Sequence, residues 1–432
     1  MSAKRNKNFT LSYSSNWTLP IAPRFAFVVC LIILMLGVQS SAQTVTDLYD
    51  FTGGSDGWYP NAPTAGPDGT LYGTTQQGGL FNSKNCSTGC GTVYRLTPSG
   101  GQWTESTLYK FSGGRDGDGF SATTFALDTA GKLYGVSDAF PYGGIYRLTP
   151  GAPGKPWHFG LLHQFKDERD GGNPVSPIFL DNSGAIYAAS SIGGLSGCFQ
   201  QQGCGNIVQL NPPTHKNSPW TVQPLYEFQG ASDGGNPTSI FMDRTGTIFG
   251  TTAYGGDFNK NCPLGCGVVF ELFPVNGTWA YKVLYSFHGA PHQSPSGLIG
   301  DASGNLYGFV GATNCCGGDI FQLAPPAGGN GPWTFTYIHL FHQNYPTTYL
   351  TLGPNGTFYG DIYGDQDFNW GYIFHMIPPS QQGGAWTYTT LVNFNPLPYQ
   401  NPSGIVVGLQ GYIYGALSGG GYFPGNIVSV AP

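Results

Sequence analysis

From about residue 43 onward, short runs of apolar, β-branched and aromatic residues are cut by Gly, Pro, Asn and Asp. This pattern predicts strands and tight turns, and no stretch there keeps an apolar period near 3.6 residues. One unit shows the plan. Residues 239–243 read as a first strand, Arg244, Thr245 and Gly246 as a tight turn, and 247–252 as a second strand. A longer loop carries Gly255, Gly256 and two cysteines. Residues 267–272 then read as a third strand, closed by Pro274, and 279–287 as a fourth.

The unit returns seven times. Its second strand carries an aromatic at Tyr72, Tyr134, Tyr187, Phe249, Tyr307, Tyr359 and Tyr414, at intervals of 52 to 62 residues. Its fourth strand opens near a Trp, at Trp103, Trp157, Trp220, Trp279, Trp333 and Trp386. That recurrence favours packing between repeats over sugar stacking. The seventh copy stops after its third strand. The missing fourth stands at the other end of the chain, where Leu48-Tyr49-Asp50-Phe51 matches Leu108-Tyr109-Lys110-Phe111. An open solenoid has no use for a split repeat. The expected fold is therefore all-β: a seven-bladed β-propeller over residues 43–432, with four-stranded blades and the last blade closed by the N-terminal strand.

Residues 1–42 read as a secretory signal. They hold Lys4, Arg5, Lys7 and Arg24, no acid, an apolar run over 25–38, and the small residues Ser40, Ser41 and Ala42. The segment before the apolar run is long, which leaves room for a start codon further downstream. Cys30 sits inside the run as signal core. Without this segment the chain keeps 13 Lys+Arg against 23 Asp+Glu, a balance that argues against nucleic acid and anionic lipid. No other segment is apolar enough to span a membrane, and the end at Val430, Ala431 and Pro432 has no anchoring tail. The remaining cysteines fall in close pairs: Cys86/Cys90, Cys198/Cys204, Cys262/Cys266 and Cys315/Cys316. An even count behind a signal predicts disulfides in an oxidising compartment, with Cys315/Cys316 either a vicinal bridge, two thiols or paired to other loops.

The segments Leu71-Tyr72-Gly73-Thr74-Thr75, Gly91-Thr92-Val93-Tyr94-Arg95-Leu96-Thr97-Pro98 and the run from Leu108 to Gly117 resemble the GloVer tandem-repeat proteins. That resemblance covers essentially all of 43–432. It implies a secreted bacterial repeat protein, periplasmic or at the cell surface, in a group often carrying one of several surface anchors. It implies no particular reaction.

In a four-stranded blade, the loops joining strands two and three, and strand four to the next blade, open on one face, called the upper face below. Four consecutive loops after strand four carry Asp56, Asp116, Asp170 and Asp233, which should form an arc. The following loops carry His288 and His292, then His342. One reading is a polar-ligand or Ca²⁺ arc, since hard cations take oxygen ligands from flexible loops. The other is that each Asp caps its own turn. No organic cofactor is expected. The turns at Asp181 and Asp301 are read as turn chemistry alone.

No nucleophile triad, phosphate loop or His-Glu-x-x-His string stands out. The expected function is a non-catalytic binding or scaffold module, a monomer meeting a glycan or protein ligand on the upper face. The alternatives are a glycoside hydrolase or lyase using upper-face acids or histidines, and a structural component of the cell envelope.

Overall fold

The computed structural model describes residues 43–431 except 82, 83, 85, 120–123, 138–140, 153, 196, 199–201, 216, 217, 290, 291, 313–317, 330, 342–344, 347–349, 364–370, 382, 395–399 and 420–422. The expected signal, Cys315, Cys316 and His342 lie outside the described residues. Among those described, strands form seven antiparallel sheets and the remaining regular structure is two short 3-10 turns. The protein is a seven-bladed β-propeller. In the third blade, Gly172–Leu180 is innermost, followed by Ile186–Ile192, Asn206–Asn211 and Thr221–Glu227 at the rim. In the first and sixth blades the inner strand is broken into two short pieces, which makes those sheets five-stranded.

The seam is where the repeat count predicts it. Val45–Asp50 is the outer strand of the seventh blade, paired antiparallel with Asn426–Val430 from Val45↔Val430 to Asp50↔Asn426. Asn426 Nδ2 donates to Asp47 Oδ1 at 2.8 Å across it. Asn426–Val430 thereby has a partner strand on both sides.

A sheet this narrow cannot bury both faces alone, so each blade packs on its neighbours. The buried core divides into seven clusters, one per blade interface. One joins Tyr187 and Ile207 of the third blade to Ile248 and Phe270 of the fourth. Another joins Phe51 and Ile427 at the seam to Leu71 and Tyr94 of the first. The Trp residues lie in these interfaces. Trp103 meets Tyr414, Trp279 meets Tyr187, Trp333 meets Phe249 and Trp386 meets Tyr307, each edge-on to the second-strand aromatic of the preceding blade.

The Gly after that aromatic has a specific cause. Gly250 lies opposite Phe270 in the ladder, and a Cβ there would overlap the Phe270 ring. Gly73 stands in the same relation to Tyr94, and Gly360 to Phe374. In the third blade the pair is Ala188 opposite Val208, a larger residue on one strand offset by a smaller one on the other.

Two boundaries differ from the sequence reading. Pro274 does not close the third strand, which runs Val268–Val275 with Pro274 opposite Trp279. The second strand begins opposite Leu272, so beyond that point the third strand has a partner on one side only, and Pro is tolerated on an unpaired edge. The first strand starts earlier than expected, at Gly235. Asn236, at φ 54°, donates its backbone N–H to Cys204 O in the previous blade at 2.7 Å, which draws the chain into the sheet ahead of Ser239. Asn173 makes the same tie to Tyr142 O at 2.8 Å.

Candidate binding face

The four upper-face acids fall on one construction. Asp56 Oδ2 accepts from the Tyr49 hydroxyl at 3.0 Å and from Thr52 N at 2.8 Å, and Oδ1 accepts from Thr52 Oγ1. Asp116 accepts from the Tyr109 hydroxyl, Ser112 N and Ser112 Oγ. Asp233 accepts from the Tyr226 hydroxyl, Gln229 N and Ala231 N. Asp170 shares a hydrogen bond with His163 Nε2 at 2.9 Å. In each case the carboxylate closes its own loop and ties it to a side chain seven residues back on the outer strand.

The electrostatics follow from the bonding. Burial pushes the Asp56 carboxyl up, but hydrogen bonds from Thr52 and Tyr49 bring it below the usual carboxylate value. Asp170 behaves likewise, with burial opposed by the hydrogen bond and charge of His163 and by backbone N–H groups. The Tyr49, Tyr109 and Tyr226 phenols are pushed well up, by burial first and then by the carboxylate each one meets.

The cysteine loops sit against the acid loops. Three disulfides, Cys86–Cys90, Cys198–Cys204 and Cys262–Cys266, close the loops between strands two and three in the first, third and fourth blades, with Cα separations of 5.2, 4.9 and 5.3 Å. Gly79 N donates to Gly54 O, Gly194 N to Glu168 O and Gly256 N to Ala231 O, joining cysteine loop to acid loop in each blade. In the fourth blade Asn259 Oδ1 also accepts from Asn261 N and Cys262 N. His288 Nδ1 meets Asp257 Oδ2 at 2.9 Å, from the next loop round the ring. His292 opens the inner strand of the fifth blade, opposite Ala312 in the ladder.

The clamped loops of the first, third and fourth blades, and the corresponding loop of the seventh, present large apolar side chains to solvent. Phe81 is 63% exposed, Phe258 50% and Phe423 55%, all between strands two and three. Leu80, Leu195 and Leu264 are exposed on the same set of loops. Sequence reading picked out the acids and passed over this crown. Its signal was present in the parallel stretches Gly79-Leu80-Phe81 and Gly256-Asp257-Phe258, each just ahead of a cysteine pair. Among the described residues, no group of three or more His, Cys, Asp and Glu is placed to hold a metal ion.

At the opposite end of the inner strands lies a cavity of about 440 Å³ on the propeller axis, bordered by all seven blades. Leu180 on its wall and Asp170 on the upper face bracket one strand, on the order of 30 Å apart at about 3.3 Å per residue.

A family profile described as the Gloeobacter/Verrucomicrobia repeat matches residues 35–199, 136–360 and 200–428. No curated protein matches the chain. Among solved structures, a Dyadobacter fermentans protein of unknown function is similar at 11% identity, over 90% of this chain and 98% of that chain, with a TM-score of 0.44. The extracellular domains 1-2 of Drosophila Semaphorin 1a are similar at 10% identity, over 89% and 88%, with a TM-score of 0.48. The PQQ-bound aldose sugar dehydrogenase of Streptomyces coelicolor is similar at 11% identity, over 90% and 98%, with a TM-score of 0.43.

Proposed function

We propose that this chain, which belongs to the Gloeobacter/Verrucomicrobia repeat family, is a non-catalytic binding or scaffold propeller that meets a glycan or protein through its upper loop face. The observation that carries the reading is the exposed crown of Phe81, Phe258 and Phe423. Exposed aromatic side chains on rigid loops lose little conformational freedom when a partner covers them, and aromatics dominate binding energy at interfaces. The disulfides and the backbone ties between loops supply the rigidity. In this reading Asp56, Asp116, Asp170 and Asp233 hold the platform in shape and do not touch the ligand. Calcium is not required by it. The three disulfides fit work in an oxidising compartment, and among the described residues no helix is long and apolar enough to cross a membrane.

The test is a glycan and extracellular-protein array probed with the wild-type chain and with a Phe81→Ala/Phe258→Ala variant. A ligand whose signal falls at least about tenfold in the variant supports the reading, since truncating an aromatic anchor typically costs 2 kcal/mol or more. A ligand that the variant binds as well as the wild type, or an array with no ligand, removes it.

A further inference from the structure

The cavity on the axis takes no part in that reading, and its chemistry differs from the rest of the surface. Its wall is the lower end of the inner strands, where Leu127, Leu180, Ile299 and Val406 stay partly exposed around the axis. No charged side chain borders it among the described residues. Four hydroxyls that would wet such a channel are turned to other uses. Thr64 Oγ1 accepts from Phe125 N at 2.9 Å, and Ser239 Oγ accepts from Leu298 N at 3.1 Å. Thr351 Oγ1 donates to Ile405 O at 3.0 Å, and Ser403 Oγ donates to Pro60 O at 2.8 Å. Each of these bonds crosses from one blade to the next. They knit the inner ring together and leave the wall with little to offer water.

A mainly apolar wall of this size, with four of its hydroxyls held in bonds between blades, is the usual lining of a small-molecule pocket, and such pockets run from roughly 300 to 1,000 Å³. The mouth adds a second constraint. The turns leading out of the inner strands in the first five blades carry Asp68, Asp128, Asp181, Asp243 and Asp301. Lys132 pairs with Asp128 at 3.5 Å and Arg244 adjoins Asp243, so five acids against two bases leave these turns with a net negative charge, which disfavours an approaching anion and tolerates a neutral molecule.

We propose that this cavity binds one hydrophobic small molecule that carries no negative charge, entering from the face opposite the loop crown. The site and the upper face are independent, so either can stand without the other.

The uncharged fluorophore N-phenyl-1-naphthylamine tests it on the full chain. The expected result is saturable binding of one probe per chain, unchanged in the Phe81→Ala/Phe258→Ala variant. Dodecanol should displace the probe, and dodecanoate at pH 8 should do so at least about tenfold less well, as expected of an acidic rim. Val406→Trp, which fills the cavity, and Leu180→Asn, which wets its wall, should each weaken the probe by about tenfold or more. Circular dichroism establishes that each variant is folded, and the wild-type competition decides the matter if one is not. The proposal is overturned by a folded wild-type chain with no saturable site, by binding that the Phe variant abolishes, by dodecanoate competing as well as dodecanol, or by folded cavity variants that bind the probe unchanged.

Discussion

His163 Nε2 lies 2.9 Å from Asp170 Oδ2, in the place where Tyr49, Tyr109 and Tyr226 hold Asp56, Asp116 and Asp233. Imidazole and phenol thus do one job in four successive loops, and the job belongs to the carboxylate they hold. The ring of the holder also packs on the next blade: Tyr109 stacks on Phe159 and Tyr226 on Tyr281. Loop closure and blade packing are therefore coupled through a single side chain.

Removing one of these acids should cost more than removing its phenol partner. Asp233→Ala deletes three accepted hydrogen bonds, and we expect a loss of about 2 to 3 kcal/mol. Tyr226→Phe deletes one, for about 1 kcal/mol. Urea unfolding measures both. An Asp233→Ala loss no larger than that of Tyr226→Phe would place the support of the loop elsewhere.

Acid should weaken the fold through the same groups. At Asp56, Asp128, Asp170 and Asp181, burial pushes the carboxyl up, but hydrogen bonds and nearby charge leave each one below its ordinary value of 3.8. A carboxyl depressed by folding contributes fully above its unfolded value, and the contribution is lost as pH falls through the folded one. Stability from these groups should hold from neutrality down to about pH 4 and decline below it. Unfolding curves at stepped pH check this, and Asp170→Asn should flatten the decline.

The pairing of Gly250 with Phe270 invites a double-mutant cycle. Gly250→Ala forces a methyl into the Phe270 ring and should cost about 1 to 3 kcal/mol. Phe270→Val leaves a cavity and should cost about 2 kcal/mol or more. Together they copy Ala188 and Val208 of the third blade. The double variant should recover at least about 1 kcal/mol relative to the sum of the singles, and strict additivity would refute the explanation.

Cys262→Ser/Cys266→Ser opens a loop of few residues. The chain-entropy relation gives a loss of about 2 kcal/mol for so short a closure. Limited proteolysis should then cut first near the exposed Phe258 and Leu264. Cleavage at the wild-type rate would mean that the glycine contacts alone hold the loop.

What sequence could and could not reveal divides along one physical line. The repeat, the blade count, the split seventh blade and three cysteine pairs were legible because each depends on residues close in sequence or on a periodic copy. The holders of the acids were also within reach, since Tyr49/Asp56, Tyr109/Asp116, His163/Asp170 and Tyr226/Asp233 keep one spacing. The inner ring of hydroxyl bonds was not. Thr64 and Phe125, or Ser239 and Leu298, meet across a blade boundary that only the closed circle defines. The axial cavity was hidden for the same reason, because its wall draws on every blade. Pro274 was misread because a proline's tolerance depends on which side of the strand has a partner.

Asp47 and Asn426 meet across 379 residues, and that distance imposes an order of events on synthesis. The ribosome makes the seam's first half 379 residues before its second half. Until the Asn426–Val430 strand is in place, Leu48 and Phe51 lack part of the bed they lie in, and the arc has an open flank. Such a chain is safest if something shields its leading segment, or if the arc stays loose until the final strand arrives. The lock that makes the finished ring durable is also the step that the cell has to wait for.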